Sequence, residues 1–283
     1  MSGGVPSIPE LFVSHWAVSA VPTALAVVSA GLYLVATARV TGGWPLRRTL
    51  AFLAGIGTVL VAIESGIGSL DDALLSVHMV QHMLLLMVAP LLLLAGQPAM
   101  LMMRTLPPAR RPRVAHVLAR AARWFGPLQA LTIYTVVLLG THLPAFYNAT
   151  LTQPALHDAE HVLYLSAGLV LWWPILDADP APHRRLGGLA RLGYMLAAMP
   201  AMALIGAYLN RHATVVYSGY AAPAHALGIS AVNDQATAGA IMWVAGNTIM
   251  VLVGLWAVMA SLVAEERRQQ SRDARAAATE GMR

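Results

Sequence analysis

Seven long apolar segments dominate this chain of 283 residues and restrict the folds that are open to it. A stretch of about 20 mostly apolar residues is long enough to cross the hydrocarbon core of a bilayer as a helix. The segments are continuous rather than alternating, which indicates helices and not barrel strands. They fall at residues 16–38, 49–69, 73–95, 126–142, 156–176, 190–209 and 235–263. We therefore predict an all-α, polytopic integral membrane protein, a bundle of about seven transmembrane helices.

The positive charges divide unevenly between the loops of this predicted bundle. All eighteen basic residues are arginines, and seventeen of them fall after the first, third and fifth segments or in the tail. Arg211 alone lies on the other side. Because basic residues near segment ends mark the cytoplasmic face of a membrane, we expect the N-terminus to lie outside and the C-terminus to lie in the cytoplasm.

The same arginines argue against a nucleic-acid partner, despite a formal net charge of +5. Arginine-rich loops beside apolar segments face anionic lipid headgroups, so the bilayer is the partner that this charge predicts. The sequence has no evident repeat or soluble domain, and we assign residues 1–264 to one transmembrane domain. Residues 265–283 are a charged cytoplasmic tail, which we predict to be disordered or a frayed helix.

Histidines recur where the apolar segments begin or end. Two H-x-x-x-H pairs each open a segment, another histidine closes one, and the predicted topology places all of them on the same membrane face. Residues four apart share a helix face, and imidazole is the commonest side-chain ligand for Cu, Zn, Fe and Ni. The chain has no cysteine, so a metal would need His, Met or carboxylate ligands. We predict a metal site formed by His78, His82, His142, His157 and His161.

Four further side chains are candidates to support such a site. Asp158 flanks the second pair, and a carboxylate that accepts a proton from a ligating histidine fixes its tautomer. Met79 and Met83 follow the first pair with thioethers that suit Cu(I), although packing is the default role of methionine. Glu64 lies inside an apolar run, where an ionisable residue is a site candidate by default.

Other polar or special residues are interpreted as structural. Asp71, Asp72 and Glu160 are taken as acids near helix N-termini that oppose the helix macrodipole. Pro90 is predicted to kink or break the third helix, since proline removes a backbone hydrogen-bond donor.

Three stretches of the sequence resemble the CtaG-like family of cytochrome c oxidase assembly factors. They are VHMVQHMLLLMVAPLLLLAGQP (77–98), THLPAFYNATLTQPALHDAEHVLYLSAGLVLWWPIL (141–176) and DQATAGAIMW (234–243). The resemblance implies a bacterial inner-membrane protein that matures a haem-copper oxidase through its copper, with oxidase subunits as partners and no enzymatic activity. The motif positions of the family correspond to His78, His82, His157, His161, Asp234 and Gln235, which adds the last two to the supporting residues.

Two alternative functions stay open beside copper binding and delivery. A b-type haem protein would use histidines on facing helices as axial ligands, but residues four apart lie only about 6 Å apart along a helix, too close for two stacked haems. A metal- or proton-coupled transporter is expected to contain repeats and broken helices, and no repeat is evident. A retinal protein is excluded because its Schiff base needs a lysine, which the chain lacks. A homo-oligomer is compatible with every one of the remaining interpretations.

Overall fold

The computed structural model describes residues 16–122, 126–176 and 186–280. Within these ranges every regular element is a helix. Several of the predicted cytoplasmic arginines (Arg123, Arg184 and Arg185) and the end of the predicted tail (281–283) lie outside the described residues.

Six helices are long and apolar enough to cross a membrane, and the number becomes seven if one bent pair counts as a single span. The two helices of that pair meet at 73°. In chain order, the first to seventh spans are Ala20–Arg39, Leu46–Leu70, Leu75–Thr105, the pair Pro127–Thr141 with Pro144–Thr150, Pro154–Leu176, Gly188–Arg211 and Ala231–Ala274. The prediction of an all-α, multi-pass membrane protein is confirmed.

Three of these spans are built from shorter helical pieces. The second consists of Leu46–Glu64 and Gly66–Leu70. The third consists of Leu75–Met83, a π-helical segment Leu84–Val88, Ala89–Ala95 and Pro98–Thr105. The seventh consists of Ala231–Ala240, a π-helical segment Ile241–Gly246 and Asn247–Glu280, which continues into the predicted tail. The connections contain the helices Arg111–Ala122 and Ala221–Ala226 and a 3₁₀ turn at Ser218–Tyr220.

Pro90 accounts for the irregular centre of the third span. It is the second residue of the helix Ala89–Ala95, which follows the π-helical segment, and it has no N–H to give to the carbonyl of Leu86, four residues earlier. Trp172 of the fifth span donates its indole N–H to that carbonyl at 3.2 Å. The two spans approach closely because Gly168 faces the same place, where a Cβ atom would collide with the Leu86 carbonyl and with Pro90. The irregular centre of the third span is therefore also the place where the third and fifth spans are in close contact.

The apolar core lies among the second to seventh spans, and the first span is peripheral. Tyr33 is the one buried residue of the first span, and its hydroxyl donates to the Gly96 carbonyl at 2.7 Å. Val21, Leu25 and Leu32 of the same span are each more than 60% exposed. Apolar side chains exposed in this way suit contact with lipid. Because the first span contributes so little to the interior, the second to seventh spans position the polar groups there.

Candidate metal centre

The five histidines that were predicted to form a metal site converge at one end of the bundle. The third span supplies one pair, the fifth supplies the other, and the remaining histidine follows the helix Pro127–Thr141 of the fourth. Neighbouring imidazole rings lie 4.0 to 6.2 Å apart, measured between centroids. All are buried except His157, whose side chain is 13% exposed. We call this set the histidine cluster: His78, His82, His142, His157 and His161.

Glu160 completes one set of candidate ligands with two members of the cluster. One ligand atom from each of His78, His157 and Glu160 lies within 4.8 Å of the other two. His78 Nε2 lies 3.8 Å from Glu160 Oε2, and both side chains are fully buried. Metal–ligand bonds from imidazole and carboxylate are about 2.0–2.2 Å long, so small side-chain movements would bring these atoms onto one ion. We call these three residues the inner group.

Asp71, which follows the second span, completes a second set with His157 and His161. Their ligand atoms also lie within 4.8 Å of one another, and Asp71 Oδ2 lies 3.7 Å from His157 Nε2. Burial raises the pKa of Asp71, although the neighbouring His157 opposes this rise. We call these three residues the outer group, because Asp71 lies outside the spans. The two groups share His157.

Gln81 links two members of the outer group. Its side-chain nitrogen donates to Asp71 Oδ2 at 2.6 Å and to the Ala62 carbonyl at 3.1 Å. Its oxygen is therefore an acceptor, and His161 Nε2, 2.9 Å away, must carry the proton. The lone pair of His161 is then on Nδ1. Gln81 thus sets the tautomer of His161 while it orients Asp71.

Buried polar atoms without partners are concentrated in the cluster. Among the described residues, six imidazole nitrogens make no hydrogen bond: both of His78, both of His82, and Nε2 of His142 and of His157. Both carboxylate oxygens of Glu160 are also buried without a hydrogen-bond partner. Leaving a buried polar atom without a partner costs about 1–3 kcal/mol, so packing alone gives no reason for this arrangement. A bound cation would satisfy several of these atoms together. His82 and His142 belong to neither ligand group but lie against them.

Tyrosines enclose the cluster. The ring of Tyr147 lies 5.2 Å from that of His78, and the ring of Tyr164 lies 3.9 Å from that of His82, between centroids. Tyr217, from the connection before the seventh span, stacks on Tyr147 at 4.0 Å. Burial raises the pKa of Tyr217, so this phenol stays neutral. Such a cover keeps bulk water away, which strengthens electrostatic interactions within the site.

Asp234 holds the start of the helix that carries the first histidine pair. Its carboxylate accepts hydrogen bonds from the backbone N–H of Leu75 at 2.7 Å and of Ser76 at 3.3 Å, and also from the Ser76 hydroxyl. These are first-turn N–H groups that have no partner within the helix, and a negative charge there also opposes the macrodipole. Asp234 therefore orients His78 and His82 without lying in either ligand group.

Gln235 holds the connection between the sixth and seventh spans. Its side-chain oxygen accepts from the Val216 N–H at 2.7 Å, and its nitrogen donates to the Thr214 carbonyl at 3.1 Å. Tyr217, which follows Val216 in the chain, donates its hydroxyl proton to the His142 carbonyl at 3.0 Å. Gln235 thus keeps the tyrosine cover in place above the cluster.

The remaining predicted residues lie elsewhere. Glu64 accepts a hydrogen bond from the Thr23 hydroxyl at 2.7 Å and so ties the second span to the first. Met79 and Met83 are buried in the apolar core. Asp158 is exposed. Glu64 therefore serves interhelical hydrogen bonding, and the two methionines serve packing. Asp158 belongs to the solvated surface.

The interpretation of Asp71 and Glu160 as helix N-terminal acids is wrong. Glu160 lies well beyond the first turn of Pro154–Leu176, on the face that carries the histidines, because residues three and four apart are neighbours on a helix. His157, Glu160 and His161 have this spacing. Asp71 ends the short helix before the third span, and its side chain turns into the cluster. Helical periodicity was the signal for Glu160, whereas no local pattern marks Asp71.

Gln81 was also missed, and its spacing repeats that of Glu160. The third span contains H-x-x-Q-H at 78–82, and the fifth contains H-x-x-E-H at 157–161. In both motifs the fourth residue shares a helix face with the two histidines. The polar residue at that position, rather than Asp158 beside the first histidine, is the one that faces the cluster.

Comparison with known proteins finds one matching family model and several similar proteins. A family model for the cytochrome c oxidase caa3 assembly factor matches residues 31–263. Uncharacterized proteins of Mycobacterium bovis and Mycobacterium tuberculosis are each 28% identical over 242 residues, which are 82% of this chain and 36% of theirs. An uncharacterized protein of Mycobacterium leprae is 26% identical over an alignment of 286 residues, 96% of this chain and 43% of its own. The chain spans less than half the length of these curated relatives, and no solved structure matches it.

Proposed function

The chain belongs to the family of cytochrome c oxidase caa3 assembly factors, and we propose that it binds copper in the histidine cluster and delivers it to a subunit of such an oxidase. The copper is cargo, and the chain performs no reaction on an organic substrate. As a multi-pass protein of the bacterial inner membrane, it would meet the oxidase within the same bilayer.

The observation that carries this proposal is the set of unsatisfied buried ligand atoms. Six imidazole nitrogens and both oxygens of Glu160 lie together without hydrogen-bond partners among the described residues. Buried polar groups are normally paired, and polar residues within a membrane are retained for function. A metal ion supplies the partner that the surrounding side chains do not.

The types of donor atom support copper as the ion. Imidazole and carboxylate ligands suit divalent transition metals, and Cu²⁺ binds such sites more tightly than the neighbouring first-row ions. The two carboxylates of the centre, Asp71 and Glu160, carry a formal charge that one divalent cation balances. The histidines are neutral ligands, so the loaded site would have no net buried charge, which limits the desolvation cost.

Haem would fit this interior less well than a single ion. A porphyrin bound by His78 or His82 would have to displace the rings of Tyr147 and Tyr164, which pack against them and are fully buried. Displacing buried aromatic rings costs about 3–5 kcal/mol each, judged from their removal from protein cores.

The first test is the metal content of the detergent-purified chain after chelator treatment and reloading with Cu²⁺. From the charge balance we expect about one copper per chain, and its loss on combining His78→Ala, His82→Ala, His157→Ala and His161→Ala. A matched control combines His116→Ala, His212→Ala and His225→Ala, which lie outside the cluster and should keep the copper. Copper retained by the quadruple variant, or none bound by the parent, contradicts the proposal. A haem absorption spectrum would favour the electron-transfer alternative.

The second test measures oxidase activity in a host whose caa3-type oxidase depends on this chain. Glu160→Gln removes the inner carboxylate with little change in size, and we expect membranes of this strain to lose most oxidase activity while they retain the variant chain. Asp158→Asn is the matched control, because Asp158 lies two residues away and is exposed. Restoration of the Glu160→Gln strain by added copper would place the defect in copper supply. Normal activity without added copper would contradict the proposal.

A further inference from the structure

Two candidate ligand groups, rather than one, lie side by side at the centre. The inner group is His78, His157 and Glu160, and the outer group is Asp71, His157 and His161. We propose that one divalent transition-metal ion occupies the two groups alternately, entering at the outer and moving to the inner, with His157 as the ligand that remains bound. This inference rests on the proposed copper-handling function and describes how the ion enters and leaves.

The burial of the ligands gives the direction of entry. Both unshared members of the inner group, His78 and Glu160, have fully buried side chains. The outer group contains Asp71, which follows the second span. The Asp71 side chain is 3% exposed. The shared residue His157 is 13% exposed. An ion from the aqueous phase would therefore meet His157 and Asp71 before it meets the inner ligands.

Charge favours alternate rather than simultaneous occupation. Each group contains one carboxylate, so one divalent ion balances the two carboxylates, whereas two ions would leave an excess of two positive charges in a buried site. Uncompensated buried charge is strongly unfavourable. In addition, a neutral imidazole has only one nitrogen lone pair available for a metal, so His157 cannot bind two ions at once unless it also loses its remaining N–H proton.

Transfer between the groups is an exchange of ligands. The bonds from the ion to Asp71 and His161 break, and bonds to His78 and Glu160 form, while the bond to His157 persists. The ion keeps its oxidation state, so no electron is transferred. Gln81 bonds both Asp71 and His161, so these two outer ligands remain paired with each other when the ion leaves them.

The test combines stoichiometry, electron paramagnetic resonance of bound Cu²⁺ and the rate of copper uptake and release, all on the detergent-purified full chain. The parent should hold about one copper per chain. Asp71→Asn should still hold it, in the inner group, but take it up at least about tenfold more slowly. Glu160→Gln should hold it in the outer group, with a different resonance spectrum and faster release to a chelator. His157→Ala should lose it from both.

Controls separate ligand loss from charge and folding effects. Asp72→Asn removes the same charge from the exposed neighbour of Asp71 and should take up copper at the parent rate. His161→Gln is a second variant of the outer group, and we expect it to show the same slow uptake of copper. It replaces Asp71→Asn in the test if Asp71→Asn proves unstable. Thermal unfolding of each purified variant identifies those that fail to fold.

Three results would overturn the alternation. Two coppers per parent chain would mean that the groups fill together. Identical spectra and rates for Asp71→Asn and Glu160→Gln would mean a single undivided site. Parent-like uptake in both outer variants would mean that the ion does not enter there. Each of these leaves copper binding intact, whereas a parent chain that binds no copper would contradict the proposed function as well.

Discussion

At the scale of single residues, the candidate ligands His161 and His78 differ in whether a neighbouring side chain forms a hydrogen bond with the imidazole. A neutral imidazole has one N–H to donate and one lone pair to satisfy. His161 donates to Gln81, whereas neither nitrogen of His78 has a hydrogen-bond partner among the described residues. The two H-x-x-x-H pairs have equal spacing in the sequence, and their surroundings make them different.

Gln81 provides the prediction at this scale. Gln81→Leu keeps a similar volume but removes the hydrogen bonds to Asp71 and His161. Because partners that orient metal ligands typically contribute 10–100-fold in affinity, we expect copper binding to weaken by about that factor, with the stoichiometry retained at saturation. Competition with a chelator of known affinity measures the change.

Gln153→Leu is the matched control for this prediction, since Gln153 is exposed at the start of the fifth span, and its copper affinity should equal that of the parent. An unchanged affinity in Gln81→Leu would show that the tautomer of His161 does not matter for binding.

At the scale of secondary-structure elements, the third span depends on contacts from other spans at its beginning and at its centre. Leu74 precedes its first turn and has no side chain that could cap it, and Asp234 of the seventh span supplies the cap. At the centre, Pro90 leaves the Leu86 carbonyl to Trp172 of the fifth span. The orientation of the first histidine pair therefore follows from tertiary contacts as much as from helix geometry.

Removing the cap at Asp234 should destabilise the bundle. Asp234→Ala leaves the N–H groups of Leu75 and Ser76 without their acceptor, and loss of such charge-assisted bonds should lower the free energy of unfolding by about 2 kcal/mol. The midpoint of thermal unfolding in detergent reports the loss. Asn233→Ala alters the exposed neighbouring side chain and should unfold with the parent. Equal midpoints of thermal unfolding for the two variants would show that Asp234 does not stabilise the bundle as a helix cap.

Gly168 tests the contact between the third and fifth spans. Gly168→Val would place carbon atoms against the Leu86 carbonyl and Pro90, and overpacking of this kind costs about 1–3 kcal/mol. Because the contact aligns the two histidine pairs, we expect lower thermal stability together with weaker copper binding.

Gly193→Val is the matched control, since a Cβ atom at Gly193 meets nothing within 4 Å. A Gly168→Val variant with parent-like stability and copper affinity would show that the spans tolerate separation at this point.

At the scale of the whole molecule, the arginine distribution predicts which face of the bundle carries the metal centre. The chain has no cysteine, so single introduced cysteines report sidedness without background labelling. We expect a membrane-impermeant maleimide to label Ala222→Cys in intact cells and Ser271→Cys only after lysis, because arginine-rich connections stay in the cytoplasm. Both positions are exposed. The reverse labelling pattern would place the histidine cluster on the cytoplasmic face.

The spans and the membership of the histidine cluster could be predicted from local patterns. Apolar runs long enough to cross a bilayer become helices because lipid offers no other partner for the backbone. Residues four apart then share a face whatever the rest of the fold does. These rules placed His78 with His82 and His157 with His161, and the topology brought both pairs and His142 to one end.

The roles of individual acids and amides could not be assigned in this way. Asp234 and Gln235 are adjacent in a helix, yet Asp234 caps the third span and Gln235 holds the connection that carries Tyr217. Asp71 and Asp72 are also neighbours, and only Asp71 is buried. Which neighbour meets the centre depends on how the spans rotate about their axes, and side chains far away in sequence set that rotation.

The sequence by itself determined that the chain crosses a membrane, how many segments do so, and that imidazoles gather at one face, because hydropathy and helical spacing are local properties. Only the tertiary structure decided which carboxylates join the imidazoles, since Asp71 follows the second span, Glu160 lies in the fifth, and both reach the histidines through packing. The same packing left His78 and His82 without hydrogen-bond partners among the described residues. Burial without a partner is a property of three-dimensional surroundings, and it is what makes these histidines candidate ligands.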